Sequence, residues 1–209
     1  YDDKFLKAIE GKEIKNSVNN KIDSVYKLEE LFKVYNWSAI NIDRRINRNN
    51  KELNNLCSHI KSKNATSYVL VNEGCHWDCI FKDFCDLSVA DRNQNTEFSC
   101  HTHYNLNKPE SYLKTPLLFH NNIQHIQADV FKISGRRNKL ENIEKRLRHY
   151  LYGENITLAE LIDKPFSEND MTKYIDYNTL NKYNLTEHLY DCKNNCLSCN
   201  KCDEIRKLI

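Results

Sequence analysis

With 209 residues, and 31 lysines and arginines against 29 aspartates and glutamates, the chain is long enough for one sizeable core or two small domains and is nearly neutral. That balance excludes the broad basic footprint of a general nucleic-acid binder, and no run approaches the roughly 18 apolar residues of a membrane span. The sequence opens at Tyr1 and its single methionine is Met171, so a piece of a longer, soluble chain is expected, and no charged-then-apolar leader is present in it.

Taken in order, residues 13–19 form a weak strand candidate, and residues 28–35 carry Leu28, Leu31, Phe32 and Val34 or Tyr35 at helical spacing. Residues 38–43 read as a strand closed by Arg44 and Arg45. Residues 49–61 make an amphipathic helix through Leu53, Leu56, Cys57 and Ile60, with Cys57 as a buried thiol. Residues 68–71 are a short buried strand broken at Asn72-Glu73-Gly74, and Cys75, Cys79, Cys85 and Cys100 follow. So long a loop, running on through His101, His103 and Pro109, is the kind that carries function or stays disordered. Residues 116–119 are the next strand candidate, 122–127 a brief helix, and 130–134 a strand ending at Gly135-Arg136-Arg137. Residues 138–152 read as a helix with Leu140, Ile143, Leu147, Tyr150 and Leu151 inward, stopped by Gly153. Short helices with aromatic anchors are expected over 154–190.

Alternation of this kind predicts an α/β fold with parallel strands. About five strands are visible, which suits a partial (β/α) barrel-type domain over residues 1–155 and a helical, Cys-rich extension over 156–209. In such architectures chemistry sits beyond the carboxyl ends of the strands, where Arg44, Glu73 with Cys75, His120 and Arg136 fall.

The nine cysteines place all but Cys57 in two groups of four. Cys192, Cys196, Cys199 and Cys202 are separated by three, two and two residues. Thiols so crowded rarely all form good disulfides, but they converge easily on zinc or an iron–sulfur cluster. The odd total also fits metal binding in a reducing compartment, expected to be the cytoplasm, better than a fully paired framework. A secreted, disulfide-stapled domain is the alternative. Acceptor patterns for glycosylation at Asn36, Asn64, Asn155 and Asn184 would suit it, although an Asn-rich chain produces such matches by chance. No Gly-rich phosphate loop, G-x-S-x-G elbow or H-E-x-x-H helix is present, which disfavours hydrolysis by those routes.

Two strand ends resemble the peptidase U32 family, the collagenase-like proteases. They are VNEGCHWDC at 71–79, and Lys132-Ile133-Ser134-Gly135-Arg136 leading into the helix that runs to Tyr152. The resemblance covers residues 13–155, as a divergent branch holding the later part of the barrel. It implies a 4Fe–4S cluster on Cys75, Cys79, Cys100 and, as the nearest fourth ligand, Cys85, with zinc as the alternative metal. It also implies oxygen-independent hydroxylation or a related modification of a small molecule or RNA, rather than proteolysis, and a related subunit as partner. Lys132 and Arg136 would then face the barrel mouth and bind an anionic substrate or offset cluster charge, and Glu73 would serve as a general base. A non-catalytic zinc- or cluster-stabilised binding protein is the remaining alternative, with metal on Cys192, Cys196, Cys199 and Cys202.

Overall fold

Three short strands form a parallel sheet in the order β1 (Ala39–Asn41), β2 (Thr66–Leu70), β3 (Val130–Lys132). They belong to a computed structural model that describes residues 12–16, 21–77, 79–83, 113–135, 139–162 and 175–207. Parallel neighbours require a crossover, and helices occupy each one. α1 (Val25–Val34) precedes β1, α2 (Asn50–Ser62) joins β1 to β2, α3 (His120–Ile123) precedes β3, and α4 (Leu140–Tyr152) follows it. Lys15 adds a parallel bridge to Ala39 on the outer side of β1. Each strand therefore lies beside its sequence neighbours, with no reversal of order. No helix among the described residues is long and apolar enough to cross a membrane.

Side chains explain the layering. Ser24 caps α1 through Lys27 N–H, and Asn49 caps α2 through Glu52 N–H. The expected face of α2, Leu53, Leu56, Cys57 and Ile60, is buried. It covers the side of the sheet that carries Ile40, Ser67 and Val69, all fully buried. Ser67 is polar at that depth because Asp129, just before β3, accepts from both its N–H (2.8 Å) and its Oγ (2.7 Å). Those hydrogen bonds hold the Asp129 carboxyl below the usual range. On the opposite side Tyr68, Val130 and Lys132 are only half-buried.

Two sequence expectations are corrected here. Residues 116–119 are buried but form no strand. Side chains satisfy part of their backbone: Asn47 Nδ2 donates to Pro116 O (2.8 Å), and Tyr150 Oη to Leu118 O (3.0 Å). Leu118 N–H makes a single bond to Val71 O (2.9 Å). The second correction is the facing of α4. Leu140, Leu147 and Leu151 are exposed (78%, 43% and 63%), and the buried residues are Arg146, His149 and Tyr150. That polar face turns inward because every group on it finds a partner. Arg146 donates to Glu160 O (2.7 Å), Ile162 O (3.1 Å) and Ser134 O (3.4 Å). α4 does stop at Gly153, which has φ +71°, and a Cβ there would lie 2.9 Å from His120 Cδ2.

Beyond α4 come α5 (Leu158–Leu161), α6 (Tyr177–Lys182), α7 (Leu185–Tyr190) and α8 (Lys201–Arg206). Thr157 and Glu160 cap α5 reciprocally. Tyr177 anchors α6 against Phe119 and His149, with ring centroids 5.9 and 4.7 Å away. One buried apolar cluster runs from Ile22 to Ile205, and so includes residues on both sides of position 155.

His149 gives the fold a pH dependence. Its Nδ1 faces Glu154 O at 2.8 Å, and its Nε2 faces the His120 N–H at 3.3 Å, so the ring is neutral with the proton on Nδ1. Burial first, with the His120 charge adding, pushes its pKa down to about 4 from 6.5. Below pH 6.5 the unfolded chain takes up a proton that the folded chain refuses until about pH 4. Stability is thus complete above pH 6.5 and is expected to fall by roughly 3 kcal/mol as pH drops through that window. Urea midpoints between pH 7 and 4 check this. An unchanged slope in His149→Phe would assign the loss to other groups.

Candidate functional site

Polar side chains gather at the carboxyl ends of the strands. After β1, Asp43 accepts from Arg45 N–H (2.8 Å) and pairs with Arg45 Nη2 (2.7 Å). Arg44 points the other way, and its Nη1 lies 3.3 Å from Glu73 Oε2 past the end of β2. Glu73 Oε1 accepts the Cys75 N–H at 3.3 Å. Glu73 is therefore held on one side by a guanidinium and on the other by its own turn, the arrangement of a turn-closing residue. Asn72 ties β2 to β3, because its Oδ1 accepts from Ser134 N–H (2.7 Å) and Oγ (3.1 Å). Lys132 closes β3 in register with Leu70, and its amine makes no hydrogen bond or ion pair among the described residues. Arg136, Cys85, Cys100, His101 and His103 lie outside the described residues.

The loop with Cys75 and Cys79 leans on residue 114, where Trp77 N–H donates to Lys114 O at 3.1 Å. The four-cysteine tail arrives at the same place from the far end of the sequence. Lys193 and Asn194 are both left-handed (φ 52° and 56°), a costly conformation for non-glycine residues that reverses the chain between Cys192 and Cys196. The reversal is held from below, with Lys193 N–H donating to Arg48 O (2.9 Å) and Asn194 Nδ2 to Arg45 O (3.0 Å). Cys202 Sγ lies 3.9 Å from Leu113 O, and Lys114 Nζ pairs with Asp203 at 3.1 Å. Lys114 is thus touched by both cysteine regions.

Electrostatics ties the tail together. Burial pushes the Cys202 thiol up to about 11; the Cys192 and Cys196 charges add to this, while Arg48 and Lys114 oppose it. Burial works against the Lys114 charge, yet the Asp203 hydrogen bond and charge, helped by Cys202 and Cys196, raise its pKa overall. Cys199 Sγ is 3.4 Å from His188 Nε2, and burial lowers the His188 pKa. Arg48 is 1% exposed; its Nη2 donates to Leu113 O (2.6 Å), while Nε has no hydrogen-bond partner among the described residues. The Trp77 indole N–H, nearby, has none either.

Cys57, Cys192, Cys196, Cys199 and Cys202 are free thiols, and among the described residues no three His, Cys, Asp or Glu side chains converge closely enough to hold a metal ion. Comparison with known proteins adds nothing to this picture. No family model, no curated protein and no solved structure matches the chain.

The sequence pointed to Arg44, Glu73 and the cysteines, but not to Arg48, Lys114 or His188. Only His188 left a trace there: it stands four residues before Cys192 and extends the run of soft donors by one.

Cys57 belongs to none of this. Burial under α2 pushes its thiol up to about 11, so it is unreactive at neutral pH. Iodoacetamide at pH 7.5 is expected to label Cys192 and Cys196 in the folded, metal-free protein and Cys57 only in denaturant, as read by peptide mass mapping. Equal labelling of all three would contradict the burial.

Proposed function

We propose that this chain is a metal–thiolate protein in which Cys192, Cys196, Cys199 and Cys202 hold an iron–sulfur cluster or a zinc ion over the carboxyl ends of a partial β/α barrel. The observation that carries the reading is Arg48. A buried guanidinium whose Nε has no partner among the described residues, and whose charge reaches the Cys202 thiol, is costly beside neutral S–H groups and favourable beside four thiolates, whose complex with either metal group is anionic. Lys114 supplies a second positive charge. The strained Lys193–Asn194 reversal turns Cys196 back toward Cys192, and His188 stands by Cys199 as a nitrogen donor. Because the sulfurs do not converge in this structure, metal binding and closure of the tail would occur together. A bound iron–sulfur cluster would supply electron transfer, and a bound zinc a cross-link.

A second reading follows the U32 resemblance. It puts a 4Fe–4S cluster on Cys75, Cys79, Cys85 and Cys100, with cytoplasmic, oxygen-independent hydroxylation of an anionic small molecule or RNA at the strand ends and a related subunit as partner. The consecutive parallel strand order supports it, as does the amine of Lys132, which no described residue engages.

Protein purified without oxygen, assayed for metal and scanned for visible absorbance, tests both. About four irons and four sulfides per chain that survive Cys75→Ala and disappear with Cys196→Ser support a cluster on the tail. The opposite pattern supports the second reading. Colourless protein with zinc lost in Cys196→Ser supports the zinc form of the first, and protein without metal overturns both.

A further inference from the structure

A cleft of about 400 Å³ opens among α2, α3, α6 and α7, on residues that the strand-end site does not use. Its lining includes Asn50, Asn121, His125, Asn181, Glu187 and Tyr190. Asn122 also borders it, but both ends of that amide are occupied, by Phe119 N–H (2.9 Å) and by Thr186 O (2.8 Å), so it builds the wall.

The other amides are half-used in a complementary way. Asn121 Nδ2 donates to Thr186 Oγ1 (3.1 Å), while its buried Oδ1 has no partner among the described residues. Asn181 Oδ1 accepts from Thr186 Oγ1 (2.8 Å) and Asn50 Oδ1 from Asn54 Nδ2 (2.7 Å), which leaves two Nδ2 groups as donors. Glu187 makes no ion pair or hydrogen bond among the described residues, so its carboxylate is a second acceptor. The rings of His125 and Tyr190, with centroids 5.6 Å apart, border the same space. The Tyr190 hydroxyl is anchored on His125 O at 3.2 Å.

We infer that this cleft binds a neutral polyhydroxylated ligand, a hexopyranose. Among the described residues the lining has no lysine or arginine and carries Glu187, which argues against phosphate or carboxylate. The same described residues include no aliphatic side chain, which argues against a lipid tail. Two free donors and two free acceptors suit hydroxyls, each of which donates and accepts at once. The ring pair supplies the apolar surface that the C–H face of a pyranose requires.

The test is an amide NMR titration of the whole chain with glucose, galactose, mannose and N-acetylglucosamine, and with adenosine as the competing flat polar ligand. One of the sugars is expected to give saturable shifts around residues 121–125 and 181–190, with a Kd of about 1 mM for so small a ligand. Glu187 is exposed and Glu187→Ala keeps the fold; the variant is expected to weaken binding about tenfold, as is Asn181→Ala. Absence of saturable shifts with every sugar overturns the inference. So do shifts with adenosine alone, or shifts unmoved by both substitutions.

Discussion

Arg146→Met is expected to lower the unfolding free energy by about 3 kcal/mol, read from urea midpoints at pH 7.5. Arg146 is buried at the junction of α4, α5 and the end of β3, where one guanidinium serves Glu160 O, Ile162 O and Ser134 O. Methionine fills much of the same volume but donates nothing. The loss therefore measures carbonyl groups left dry rather than a cavity. Glu160 O and Ile162 O have no other described hydrogen bond, whereas Ser134 O keeps Asn72 Nδ2 at 3.3 Å. A loss below about 1 kcal/mol would mean that water reaches those carbonyls, and the buried polar face of α4 would then be a consequence of packing rather than its cause.

The second large effect is on metal affinity. Arg48→Met is expected to weaken metal binding by the tail about a hundredfold, measured by chelator competition, and to leave the stability of the metal-free protein nearly unchanged. The metal-free fold gains little from Arg48, since among the described residues its Nε has no partner and only Leu113 O accepts from it. Four thiolates around a metal depend on it much more. Equal metal affinity in the two proteins would remove the electrostatic support for the tail centre. A collapse of the metal-free variant would show that Arg48 belongs to the core and not to the site.

The sequence disclosed most where one physical rule acted alone. The apolar stripe of α2 decided its facing, and Leu53, Leu56, Cys57 and Ile60 are all buried as their spacing predicts. Gly153 ends α4 because only glycine tolerates both its φ and the approach of His120. α4 itself misled. Its leucines mark an apolar stripe that stays exposed, while Arg146 and His149 are drawn in by carbonyls from residues 134, 154, 160 and 162, which periodicity cannot reveal. The run at 116–119 looked like a strand because a short buried apolar stretch has no period of its own. The strand-end positions of Arg44 and Glu73 were legible from alternation, but their pairing with each other was not. Arg48 and Lys114 gain their place only when residues far apart in the chain meet, and local pattern carries no record of that.

The seating of the tail has a kinetic consequence. Asn194 reaches Arg45 across 149 residues, whereas Ser67 and Asp129, which lock β2 to β3, are 62 apart. Closing the longer loop costs more chain entropy, and it yields only a few bonds until the strand ends beneath it exist. The sheet and α2 are therefore expected to assemble first, and residues 192–205 to dock late in folding. Residues 192–200, none of them buried, are then expected to open locally in the native protein without disturbing the core that Ile205 joins.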